Sequence, residues 1–201
     1  MVGSGIQADR LSADGGVALP ANSLATDFGL GVLIVLLGPV SGAFNPVVTR
    51  WHDRRSPAET AGYMGGQITG AIAGAMLANT TFGLPPVEWS SQERSGVHLW
   101  LAETVATAGL LLLITGLART GRSGLAAPAV ASYIGAAYWF TSSTSYANPA
   151  VIIGRTFTDT YAGIAPSWVA PFIAAQVMGL AALLFPQAAV TASALVNQGS
   201  P

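Results

Sequence analysis

Two asparagine-proline pairs, Asn45-Pro46-Val47 and Asn148-Pro149-Ala150, are the residues of this 201-residue sequence best placed to do chemistry. Each Asn carries a carboxamide with two N–H donors and one acceptor oxygen, and no acid-base function. Asn is a preferred N-cap and Pro suits the first helical position, so each pair is expected to start a helix. The pairs also occupy matching places. Ser41-Gly42-Ala43-Phe44-Asn45-Pro46-Val47-Val48 returns in type as Thr144-Ser145-Tyr146-Ala147-Asn148-Pro149-Ala150-Val151, and Tyr63-x-x-x-Gln67-x-x-Gly70 as Phe172-x-x-x-Gln176-x-x-Gly179. One Asn-Pro pair is an ordinary turn; two in matched order imply an internal repeat.

The elements that must position these pairs are apolar. The chain is 51% hydrophobic and 8% charged, with 24 glycines, no cysteine and a formal net charge of −1. So little charge excludes a disordered chain, and the lack of a basic excess excludes a nucleic-acid binder. Without Cys there is no disulfide or thiolate site. Phe28 to Thr49, Thr60 to Val87, Gly124 to Gly154 and Thr160 to Pro201 contain no Asp, Glu, Lys or Arg. About 20 apolar residues cross the hydrocarbon core, and spans are predicted near 20–38, 57–79, 97–118, 126–143 and 167–186. The Gly65-Gly66, Gly70 and Gly74 stripe suits close helix approach in a bilayer. A soluble bundle would need a polar outside that this sequence lacks.

Arg50, Arg54, Arg55, Arg119 and Arg122 fall in two connections separated by two spans, hence on one side, which the positive-inside rule makes cytoplasmic. The connections at 80–96 and 159–166 are then outside, and Trp51, Trp89, Trp100 and Trp168 read as interfacial anchors. An odd number of spans separates the repeats, approximately 1–79 and 97–186, so they are inverted within one membrane domain.

The first Asn-Pro helix can run only from Pro46 to about Arg55, because Ser56-Pro57-Ala58-Glu59 has capping-box spacing and begins the next helix. The second is predicted from Pro149 to about Thr158. Helices of roughly ten residues rise about 15 Å, half the hydrocarbon core, so they would meet N-terminus to N-terminus near the midplane. Non-helical backbone at that depth must be buried in protein or line a watery cavity. Half-helix dipoles and the Asn45 and Asn148 amides would then offer donors to the oxygen of water or a hydroxylated solute, while opposing cations.

In these features the sequence resembles the major intrinsic protein family, the aquaporins and glycerol facilitators. Gly3-Ser4-Gly5-Ile6-Gln7-Ala8, Asn22-Ser23-Leu24-Ala25-Thr26 and Tyr138 to Pro149 resemble a bacterial branch linked with arsenic resistance. The resemblance implies an all-α membrane channel with six spans and two pore-lining half-helices. It further implies one pore per protomer, usually in a homotetramer, in the plasma membrane. The solutes would be small and uncharged: water, polyols, and as candidates neutral trivalent arsenic or antimony hydroxides or methylated arsenicals. No cofactor, nucleic acid or enzymatic activity is implied.

By the resemblance the pore centre is Asn45, Pro46, Val47, Asn148, Pro149 and Ala150, and the selectivity filter Thr26, Ala136, Ser145, Val151 and Arg155. Family members usually carry Arg directly after the second Asn-Pro-Ala, where this sequence has Val151. Arg155, one helical turn on, is either a displaced filter arginine or a mouth residue paired with Asp159 at i+4. The fifth-span filter position is Ala136 by an ungapped count and Trp139 by a gapped one. Glu103, inside a span and therefore costly, is either a water-exposed group of the lumen or, as the resemblance implies, the support of a pore loop. His52 and His98 have no second ligand at metal spacing.

Two other readings are a secondary transporter, which would show coupling-ion carboxylates at the midplane, and a truncated, non-conducting membrane protein. The latter arises because Glu103 precedes Asn148 by 45 residues and the same offset from Asn45 falls just off the chain. The first span is therefore expected to be largely missing, leaving Met1 to Ala8 as its outer end.

Overall fold

The computed structural model describes residues 1–52 and 55–198, with the backbone alone for 50–52 and 184–198. The helices are α1 (Val2–Leu11), α2 (Gly15–Leu37), α3 (Pro46–His52), α4 (Pro57–Thr81), α5 (Val97–Arg119), α6 (Ala126–Phe140), α7 (Pro149–Arg155) and α8 (Val169–Gln198). Helices α2 and α5 and the segment Pro166–Leu183 are long and apolar enough to cross a membrane. Their outer faces are hydrophobic: Phe28, Val32 and Val35 of α2 and Leu101 and Leu112 of α5 are exposed, a surface suited to lipid.

The order of α1 to α4 returns in α5 to α8, and so does the packing. α1 lies on α2 and α4 as α5 lies on α6 and α8, α2 and α6 pack on each other, and α3 and α7 meet. Local chemistry explains most boundaries. Asp14 accepts from Gly16 N at 2.7 Å and starts α2 five residues before the predicted 20. The capping box forms as its spacing predicts, with Glu59 N donating to Ser56 Oγ at 3.3 Å and Ser56 N to Glu59 Oε2 at 3.0 Å.

Three expectations are corrected. Helix α7 stops at Arg155 instead of Thr158, because Thr156 and Phe157 leave the helix and their carbonyls accept from Ser90 N and Glu88 N. That pairing brings the predicted outer segments together at one end, where Ser91 N also donates to Asp159 Oδ1 at 2.8 Å. Helix α3 likewise ends before Arg55, which stands outside it. Within this one chain the glycine stripe of α4 meets no described neighbour: Gly65, Gly66, Gly70 and Gly74 have open space where a side chain would begin. Contact is made instead through Gly154, where a Cβ would lie 2.7 Å from Ala71 O, and Gly179, where one would lie 2.7 Å from Thr104 O. Of the anchors, Trp100 and Trp168 pair with ring centroids 6.4 Å apart and Trp89 lies against Phe157; the Trp51 side chain is outside the described residues.

Helix α6 ends at Phe140, three residues before the predicted 143, because the backbone from 141 to 148 turns extended and irregular. Thr144, Ser145 and Ala147 have φ of 58°, 50° and 43°, a left-handed region that costs a side-chain-bearing residue about 1–2 kcal/mol each. The loop is held in that shape by Glu103, fully buried on α5. Its carboxylate accepts from Ala147 N at 2.5 Å, Tyr146 N at 3.2 Å and Gln176 Nε2 at 2.7 Å. Replacing Glu103 by Leu strands these three donors, each costing about 1–3 kcal/mol when buried and unpaired. The Glu103→Leu variant should therefore lose roughly 3 kcal/mol or more, read as a lowered thermal midpoint in detergent, with Glu103→Gln falling between it and the parent. A Leu variant as stable as the parent would remove Glu103 from its supporting role.

Candidate solute pathway

The two Asn-Pro pairs face each other. Asn45 Oδ1 accepts from Val47 N at 3.0 Å, and Asn148 Oδ1 from Ala150 N at 3.0 Å and Val151 N at 3.4 Å, so each carbonyl end caps its own helix. Each amide end reaches across. Asn45 Nδ2 donates to Ala147 O at 2.6 Å, and Asn148 Nδ2 donates to Phe44 O at 2.9 Å. An NH2 group has two hydrogens, so one hydrogen of each Asn locks the opposite loop and one is left over. The sequence reading assigned both to the lumen; the cross-lock takes half of them.

Pro46, Val47, Pro149 and Ala150 form the first turns behind these caps, and all four are buried. Gln67 secures the first pair, its Nε2 donating to Ala43 O at 2.7 Å and Thr49 Oγ1 at 2.9 Å. Gln176 does the corresponding work in the second half through Glu103. The repeated glutamine was legible as a motif, but its partner was not.

A cavity of about 670 Å³ ends on the two asparagines. Its walls are mainly apolar, including Leu30 and Ile34 of α2, Leu110 of α5 and Val130 of α6, with Asn45, Asn148 and Val151 at its head.

Beyond Val151 a buried polar cluster crosses the bundle. Thr26 Oγ1 lies 3.3 Å from the Tyr138 hydroxyl, and Arg155 Nη2 donates to that hydroxyl at 3.2 Å. The Arg155 guanidinium sits 4.5 Å from the Tyr146 ring centroid, within cation-π range. Thr26, Tyr138, Ser145 and Arg155 are all buried. Among the described residues the Ser145 hydroxyl and Arg155 Nε have no hydrogen-bond partner.

This arrangement revises two filter assignments. Ala136 and Trp139 lie on the exposed side of α6; at about 100° per residue, Ala136 points about 200° away from Ile134 and Tyr138. Tyr138 is the α6 residue that meets Thr26 and Arg155. The loop between α6 and Asn148 sets this register, and no count along the sequence gives its shape. Val130, Ile134 and Tyr138 at i, i+4 and i+8 were the available signal. Arg155 does not pair with Asp159, which is held by Ser91. Of the histidines, His98 stands at the start of α5 and the His52 side chain is outside the described residues; among the described residues no group of three His, Cys, Asp or Glu is arranged to hold a metal.

Comparison with known proteins joins this geometry to a family. The sequence pattern described as Major intrinsic protein matches residues 1–185. The chain is 47% identical over 184 residues to the protein named Aquaglyceroporin AqpS of Rhizobium meliloti (strain 1021), covering 89% of this chain and 78% of that protein. A helical membrane protein whose two Asn-Pro helices lock across its interior, with a matching pattern over most of its length, belongs to the major intrinsic protein family of small-solute channels.

Proposed function

We propose that this protein passively conducts small uncharged hydroxylated solutes, water and glycerol-like polyols first among them, across the bacterial plasma membrane. The observation that carries this reading is the reciprocal lock of Asn45 on Ala147 O and Asn148 on Phe44 O at the head of the cavity. A solute oxygen arriving there can take the hydrogen that each amide does not spend on the lock. The carbonyls of Phe44 and Ala147 are occupied by the lock and the half-helix N-termini point at the junction, so the site favours a lone pair over a cation. The assembly proposed is a homotetramer with one pore per protomer, the two repeats together forming each pore.

Selectivity is assigned to the layer of Thr26, Tyr138, Ser145 and Arg155, with Val151 just inside it. Arg155 takes the role of filter arginine from one turn further along α7, and the Ser145 hydroxyl and Arg155 Nε, buried and without a partner among the described residues, have hydrogen-bonding capacity left for a solute. Val151 leaves a short apolar wall where an arginine would fill cross-section. That wall suits polyols, and as further candidates neutral trivalent arsenic or antimony hydroxides and methylated arsenicals. Glu103, the carboxylate a transporter reading would need at the midplane, is committed to the loop amides.

Stopped-flow swelling of proteoliposomes with water, glycerol and trivalent arsenous acid tests these assignments. Asn148→Leu removes the cap of α7, worth about 1 kcal/mol, and leaves Phe44 O without its donor. Its permeability to all three solutes should fall toward that of protein-free vesicles; full conduction by a folded variant would overturn the pore-centre assignment. Val151→Arg should depress glycerol and arsenous acid more than water. Equal loss for every solute would indicate general blockage, and no loss would place residue 151 away from the lumen.

A further inference from the structure

The polar layer continues past the lumen to Asn22, and the direction of its hydrogen bonds follows from the donor inventory. Arg155 has only N–H groups, so in its contact with Tyr138 the phenol oxygen accepts. The Tyr138 proton is then available to the Thr26 hydroxyl, 3.3 Å away. Thr26 in turn donates to Asn22 Oδ1 at 3.2 Å, one turn back along α2. That carbonyl oxygen can only accept, and it also takes Ser4 Oγ of α1 at 3.4 Å. Asn22 is 1% exposed, so water does not compete at the accepting end of the chain. An end that only donates and an end that only accepts leave the two hydroxyls between them a single orientation.

We propose that Asn22 is a positioning residue of the outer constriction. It accepts the Thr26 proton, and Thr26 thereby holds the Tyr138 hydroxyl against Arg155, so that a residue outside the lumen sets the aperture and its polarity. The inference rests on reading Thr26, Tyr138 and Arg155 as the constriction. It carries a second consequence. A proton relayed along hydroxyls requires each to reorient after every transfer, and a chain pinned at both ends reorients only by breaking a bond.

The test uses the full chain in proteoliposomes, with two readouts: the ratio of glycerol to water permeability, and proton leak followed by an entrapped pH dye. Asn22→Ala, Thr26→Val and Tyr138→Phe each interrupt the chain at a different link, and each should raise both readouts by about two- to tenfold, the range for one lost hydrogen bond. The double variant Asn22→Ala/Tyr138→Phe should do no more than the larger single, because both act through one chain. A merely structural Asn22 would lower expression or total flux, leave the ratio unchanged, and add to Tyr138→Phe. Either no shift in ratio and leak or additive shifts would overturn the proposal. Asn22→Asp keeps an accepting oxygen at the same place and decides the matter if Asn22→Ala fails to reach the membrane: ratio and leak near the parent's support the positioning role, and a shift as large as that of Tyr138→Phe overturns it. A parent chain with no flux above protein-free vesicles would instead overturn the channel reading beneath it.

Discussion

Irregular backbone in a membrane interior must find its hydrogen bonds within the protein, and the rest of this structure follows from how it does so. Water is absent from the hydrocarbon core, so each unpaired peptide group there costs several kcal/mol. The loops before Asn45 and Asn148 meet that requirement reciprocally, the amide of each asparagine serving the carbonyl of the other loop. Neither half can be satisfied alone. The two short helices are thereby fixed head to head, and the side chains at their first turns are forced toward one axis.

Around that lock the two halves use related supports in different ways. Gln67 reaches the first loop directly, at Ala43 O, whereas Gln176 works through Glu103, whose carboxylate gathers two backbone amides of the second loop. The second loop is also the more strained, with three non-glycine residues in the left-handed region. Strain of this kind persists only where surrounding contacts over-determine it. Here it turns Ala147 so that its N–H meets Glu103 while its carbonyl meets Asn45, linking support and pore centre through one residue. The same loop presents Tyr146 to Arg155, joining the centre to the outer layer.

The parts legible in the sequence were those governed by local rules. Proline and asparagine mark the starts of α3 and α7, Ser56 to Glu59 marks the start of α4, and long apolar, charge-poor stretches mark the long helices. What escaped was set by tertiary contact. The end of α7 at Arg155 depends on residues 88–90 pairing alongside Thr156 and Phe157, 66 to 69 residues away in sequence. The inward side of α6 depends on a loop whose shape Glu103 imposes from another helix, so counting back from Asn148 reached Ala136 or Trp139 and missed Tyr138. The glycines of α4 looked like a packing face by composition, yet the approach of α7 is made through Ala71 and Gly154. Arg155 stood as a displaced filter residue beside a simpler pairing with Asp159; only the burial of one and the capture of the other by Ser91 separate the two.

The central claim is that solute crosses the protein at the junction of the two Asn-Pro helices, and the absence of cysteine from the sequence offers a direct measurement of it. Val48 and Val151 line the cavity on the two half-helices. Val48→Cys and Val151→Cys, each the single thiol of its protein, would be treated in proteoliposomes with a small methanethiosulfonate reagent while water flux is followed. The account predicts that modification at either position stops most of the flux, and that a reductant restores it. Complete modification of both thiols, verified by mass, with water flux unchanged would contradict it.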